Sequence, residues 1–335
     1  MQKMTRYFLI ALVIIIVFLA YSVLKIKFTS SVSAPGSALN PSQDTIRRLY
    51  EHVKHLSVRI GSRSIYDYEK LEATKHYILS YLKDLGYTPI LQDYNYNGKA
   101  YSNIIVSIKS TEHPGETVVI GAHYDTVYDT PGADDNASSV AVLLEICRAL
   151  KDFSPRRALK MIFFTLEEPP LFRSKFMGSY IYASEAKARG ENISAMVCLE
   201  MVGYYDDKEG GQTFPLPFMS LVYPSTPNFI AVVGNLTSRN LVERIKNSIN
   251  KSSHIPVETL STVSFVPGVD FSDHRSFWKM GYPAVMITDT AFYRNPNYHS
   301  VKDTIDTLNF NKMSNLLVGL VQVVKDLSGP TQTEK

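Results

Sequence analysis

Six short apolar runs set what this chain can fold into: 102–108 (SNIIVSI), 116–121 (ETVVIG), 158–165 (ALKMIFFT), 193–199 (ISAMVCL), 228–234 and 283–288. Runs this short suit strands buried on both faces rather than helices. Between and after them lie helical patterns at 138–151, 176–189, 238–250 and 310–327. Two more, at 43–57 and 67–85, come first, and Gly86 stands where a helix C-cap belongs. The alternation predicts an α/β fold, with a mixed, largely parallel central sheet and helices on both faces. Residues that do chemistry in such sheets gather just beyond the carboxyl ends of the strands.

The N-terminal end has a different character. Residues 8–24 (FLIALVIIIVFLAYSVL) carry no charge, and a helix of that length nearly spans a hydrocarbon core about 30 Å thick. Lys3, Arg6 and the free amine precede the run, while Lys25 and Lys27 follow it. This balance predicts a short cytoplasmic segment at 1–7, one transmembrane helix at 8–24 and export of everything after it. The alternative is a cleaved signal peptide with a small-residue site near Ser31-Val32-Ser33-Ala34. Residues 28–42 are rich in Ser, Ala, Pro and Gly, so 25–42 reads as a linker and 43–330 as one domain without internal repeats. The expected localisation is a single-pass cell-membrane protein with its folded domain outside the cytoplasm.

Other features narrow the function classes. A net charge of +3, without basic runs, gives no footing for a nucleic-acid partner. Cys147 and Cys198 fit no CxxC spacing and lie in apolar segments, which reads as two buried free thiols. Four Asn-x-Ser/Thr sequons occur, at Asn136, Asn192, Asn235 and Asn250, and the first lies where the chemistry described next leaves no room for a glycan.

Five places put metal-ligand side chains where apolar runs stop. ETVVIGA leads into His123-Tyr124-Asp125, and MIFFTL into Glu167-Glu168. AMVCL leads into Glu200. The loop Pro131-Gly132-Ala133-Asp134-Asp135-Asn136 opens a helix, and Tyr298-His299 follows the last run. Singly, each has a bland explanation, such as a helix N-cap for the paired Asp or a solvated helix start for the paired Glu. Together, carboxylates at buried strand ends repel one another unless a cation gathers them. Two imidazoles with three carboxylates suit zinc, and one carboxylate can bridge two metals.

These residues resemble the co-catalytic di-zinc exopeptidases related to aminopeptidase S, aminopeptidase Y, bacterial leucyl aminopeptidase and glutamate carboxypeptidase. The resemblance runs from about residue 45 to 325 and is carried by GAHYDT, PGADDNASS, EEPP, LEM, SDHRSFW and YHSVKDT. It implies two Zn2+ ions held by His123, Asp135, Glu168, Glu200 and His299, with Asp135 bridging and Asp125 orienting the His123 imidazole. It makes Glu167 the general base and Tyr298 a donor to the developing oxyanion, with a tyrosine merely packed beside the site as the equal alternative. The implied activity is hydrolysis of the amino-terminal bond of a peptide or small amide.

Departures and alternatives stay open. Relatives carry Asp where this chain has Glu200, and their glycine-rich stretch after the Glu pair is here Pro169-Pro170-Leu171-Phe172. That stretch and 211–224 (GQTFPLPFMSLVYP) are expected to reshape a substrate pocket or to pack as surface excursions. Asp273 and His274 stand near such sites in relatives and serve either the site or the fold. A carboxypeptidase would need a cation for the terminal carboxylate, for which Arg173, Arg275 and Arg294 are candidates. A glutaminyl-cyclase-like aminoacyl transferase would use one zinc. A non-catalytic receptor would have lost ligands or the base, which this chain has not.

Overall fold

The structure is a computed structural model that describes residues 42–329. The predicted membrane run at 8–24, and with it most of the linker, lies outside the described residues. Within them, no helix is long and apolar enough to cross a membrane.

Helix α1 (Gln43–Lys54) starts where Ser42 Oγ accepts the Thr45 amide, and it buries Leu49 and Val53. The expected helix to residue 57 instead continues through a wider π-type turn at His55–Ile60. Helix α2 (Tyr68–Asp84) ends against Gly86, whose φ of 90° supplies the left-handed turn a C-cap requires. Strands β1 (Ile90–Tyr96), β2 (Lys99–Ile108) and β3 (His113–His123) follow, then α3 (Ser139–Ala149), β4 (Arg157–Phe164), α4 (Gly178–Ala188) and β5 (Ile193–Glu200). The last part comprises β6 (Ile230–Asn235), α5 (Arg239–Ser252), β7 (Val257–Thr262), α6 (His274–Lys279), β8 (Ala284–Thr288) and α7 (Phe310–Ser328).

One eight-stranded sheet runs in the order β1-β2-β4-β3-β5-β8-β6-β7. Its centre, β4-β3-β5-β8, is parallel, and so is the edge pair β6-β7. The pairs β1-β2, β2-β4 and β6-β8 are antiparallel, which makes the sheet mixed. Helices α1, α3, α5 and α7 contribute to the large core on one face. On the other face Tyr182, Ala183 and Ala186 of α4 meet Phe277 of α6 over Val119, Ile162 and Met196. Both cysteines are buried free thiols, as expected.

The three elements absent from the sequence reading are β1, β7 and α6. Every residue of β1 is exposed or half-buried, so ILQDYNY shows no continuous apolar run. VETLST in β7 is an edge strand with only Val257 buried. Helix α6 has six residues, too few for a periodicity to register.

Candidate metal centre

The parallel centre of the sheet delivers its strands' carboxyl ends to one place. His123 closes β3 and Glu200 closes β5, while Glu167 and Glu168 follow β4. His123 Nε2 stands 3.3 Å from Glu200 Oε2, 3.5 Å from Asp135 Oδ1 and 4.0 Å from Glu167 Oε2. Across the site, His299 Nε2 stands 3.2 Å from Asp135 Oδ2 and 3.4 Å from Glu168 Oε2. Asp135 therefore turns one oxygen to each imidazole. Potential ligand atoms of His123, Asp135 and Glu200, and separately of Asp135, Glu168 and His299, lie within 4.8 Å of one another.

Backbone geometry aims these side chains. Leu166, Met201 and His299 take left-handed φ values of 59°, 47° and 53°, a conformation that costs a non-glycine residue about 1–2 kcal/mol. The first two flank the Glu pair and Glu200, so strain gathers where the cluster's carboxylates are presented. Asp125 accepts the Glu167 amide on Oδ1 and the Glu168 amide on Oδ2, both at 3.1 Å. Its Oδ1 also lies 3.4 Å from His123 Nδ1, so one carboxylate fixes the Glu pair and orients the imidazole.

The Asp135 loop is tied from outside by residues the sequence reading did not single out. Asp303 accepts the backbone amides of Asp134 and Asp135 at 2.9 and 3.0 Å. The buried guanidinium of Arg63 donates to the carbonyls of Tyr124, Pro131 and Gly132, joining the end of β3 to the loop. Asp134 faces away from the cluster, accepting from Gly203 N–H and from the Asn295 side-chain amide. Its neighbour Asn136 is buried, bonded to Leu199 O and Met201 N, so a glycan has no access there. Gly132 is required as well: at its φ of 58° a Cβ would lie 2.3 Å from Thr126 Cγ2.

The Glu200 side chain is held by a neighbour. Ser272 Oγ donates to its Oε2 at 2.5 Å, and the carboxylate still reaches His123. Tyr298 stacks on the His299 ring at 3.7 Å between centroids. His274 has a structural setting, with Nε2 at 2.8 Å from Val269 O and its ring edge-on to Trp278. Asp273 is fully buried and pushed up to about 7 by that burial, with His123 opposing and Glu200 and Asp125 reinforcing the shift. Arg173 and Arg275 both pair with Asp270, and Arg294 is buried against Gln212 and Phe229 O.

The electrostatics are those of a site built for cations. Burial raises the Glu167 carboxyl well above the ordinary range, and Glu168 and Glu200 add to this against the pull of His123. Glu168 is pushed up to about 8 by burial and by Asp135. His299 rises to about 10 because hydrogen bonds to Asp135 and Glu168 outweigh its desolvation. His123 Nε2, Asp135 Oδ1, Glu167 Oε1 and Glu168 Oε1 are buried without a hydrogen-bond partner. Polar atoms left so cost free energy that a bound cation would remove. The donor set, nitrogen and oxygen without sulfur, fits zinc.

Comparisons with known proteins identify the family and the fold. Residues 103–324 match peptidase family M28. The chain is 38% identical over 292 residues to the uncharacterised protein YfbL of Escherichia coli K12, covering 85% of this chain and 89% of that one. It is 30% identical over 225 residues to a probable leucine aminopeptidase of Arthroderma otae, covering 63% of this chain and 52% of the relative. The chain thus spans about half the length of that fungal protein. BSAP, a zinc aminopeptidase from Bacillus subtilis, shares the fold with a TM-score of 0.67 at 15% identity, over 87% of this chain and 96% of BSAP.

Proposed function

Since the chain belongs to peptidase family M28, we propose that it is a zinc-dependent aminopeptidase, hydrolysing the amino-terminal bond of a peptide or small amide. The observation that carries this reading is Asp135, placed between two imidazoles with one oxygen toward each. His123 and Glu200 would hold one zinc, His299 and Glu168 a second, and Asp135 both. Bound there, zinc would polarise the scissile carbonyl and make water acidic enough to attack near neutral pH. Glu167, left free of the two ligand sets and 4.0 Å from His123 Nε2, takes the proton from the attacking water and delivers it to the leaving amine. Tyr298, beside His299, offers a hydroxyl to the oxyanion.

Charge favours the amino end of the substrate. The pocket beside the cluster is lined by Glu200 and Glu258 and by no lysine or arginine, a balance that suits an ammonium rather than a carboxylate. Recognition of a carboxyl terminus would call for a disposable cation, and Arg173, Arg275 and Arg294 all have partners already. A one-zinc transferase would leave the imidazole of His123 or of His299 without a metal. The uncharged run 8–24 supports a membrane anchor holding the domain outside the cytoplasm, tested by alkali-resistant membrane fractionation of the full chain.

The enzymatic test offers the zinc-loaded protein a peptide series with free or acetylated amino ends and free or amidated carboxyl ends. Cleavage that requires the free amine and stops with a chelator is expected. Cleavage that requires the free carboxylate would contradict the assignment.

A further inference from the structure

The deep pocket next to the cluster has one face of the sheet as its floor. Glu200 on β5 is the register partner of Thr288 on β8, Thr288 of Ala231 on β6, and Ala231 of Glu258 on β7. Register partners share a face, and all four residues line this pocket of about 810 Å3, counting its open mouth. With strands spaced about 4.8 Å apart, Glu258 lies about 14 Å from Glu200 along this row. A second row of the floor is apolar, formed by Met286, Val233 and Leu260. Phe214, Tyr223 and Phe271 supply aromatic walls, and Tyr298, stacked on His299, marks the end nearest the cluster.

The pocket therefore begins at the candidate metal ligands, runs between apolar walls and ends at a carboxylate. Glu258 is half-buried and has no hydrogen-bond or ion-pair partner among the described residues. Burial raises its pKa, and Lys246, on α5, opposes that shift without forming an ion pair. A carboxylate in such surroundings is unfavourable until a donor meets it.

We propose that this pocket receives the side chain of the substrate's amino-terminal residue and that Glu258 selects a basic one, lysine or arginine. The assignment rests on the aminopeptidase reading above. A lysine carries its ammonium about 6 Å from its Cα on an apolar stem, and arginine reaches somewhat further. Two polar contacts of about 3 Å, one at each end, account for most of the remaining span. The stem lies against the apolar walls while the cation meets Glu258. Leucine fits the walls but leaves the carboxylate unpaired.

The test measures kcat/KM of the zinc-loaded full chain on lysyl, arginyl, norleucyl and leucyl 4-nitroanilides, for the natural protein and Glu258→Gln. Norleucine keeps an apolar stem and lacks the cation. Basic residues are expected to exceed norleucine by at least about tenfold, and Glu258→Gln to reduce that ratio at least about tenfold while norleucine changes less than about threefold. Norleucine cleaved as well as lysine, or a ratio unchanged in the variant, would overturn the assignment while leaving the aminopeptidase intact. Cleavage of none of the four would overturn the aminopeptidase reading and the pocket's role with it.

Discussion

Replacing Asp303 by Asn tests how the Asp135 loop is held. Both oxygens of Asp303 accept backbone amides, from Asp134 at 2.9 Å and from Asp135 at 3.0 Å. Asparagine keeps the size but offers one acceptor, and its NH2 would oppose a backbone N–H. One hydrogen bond to a charged, buried acceptor is thereby lost, at about 1.5–3 kcal/mol. The loop remains tied by Arg63 to Pro131 and Gly132, so the fold survives. If the loss falls on the geometry of Asp135, zinc affinity drops roughly 10- to 100-fold. Competition with a chelator of known affinity measures this directly, and activity should return as free zinc is raised. The exposed Asp306→Asn, three residues away, is the control. Zinc affinity for Asp303→Asn within about threefold of the natural protein would refute the claim that this carboxylate positions the ligand.

Other consequences follow from single residues. Gly132→Ala forces a Cβ to 2.4 Å from Asp135 O at a positive φ, so we expect a loss of about 3 kcal/mol in denaturant unfolding together with weakened zinc binding. Glu167→Gln should retain zinc and lose at least about 100-fold in kcat; undiminished turnover would remove Glu167 as the base. Glu145, on α3, is buried where α3 packs against α1 and α2, and burial, which would raise its pKa, is overcome by the His52 ring 3.5 Å away and by hydrogen bonds from Tyr81, Arg148 and Arg48, so the carboxyl sits far below its ordinary value. A depressed folded pKa contributes stability present above the unfolded value of about 4.3 and lost as pH falls below it. Glu145→Gln should thus cost about 3 kcal/mol at pH 7 and progressively less in acid, read from urea melts at about pH 7 and about pH 3.

What the sequence shows and hides has a physical basis. His123, Glu167, Glu168 and Glu200 are legible because each stands where a continuous apolar run stops, and a parallel sheet gathers such ends. His299 and Asp135 sit in loops and became visible only alongside the others. Asp303 and Arg63 do their work through backbone amides and carbonyls 60 or more positions away, and no side-chain pattern records such a contact. Ser272, which holds Glu200, is hidden for the same reason. Strand direction is equally silent: the apolar content of β6 says nothing of its antiparallel pairing with β8. The strand that completes the pocket floor, β7, lies at an edge with one buried residue, so the carboxylate of Glu258 could not be placed before the register was known.

In the function proposed above, Asp135 joins two zinc ions in one site. Elemental analysis of the purified Glu167→Gln protein, equilibrated in buffered zinc, tests it without turnover. About two zinc ions per chain are expected, falling on substitution of Asp135 by Ala. One tightly held zinc, unaffected by loss of either His123 or His299, would contradict it.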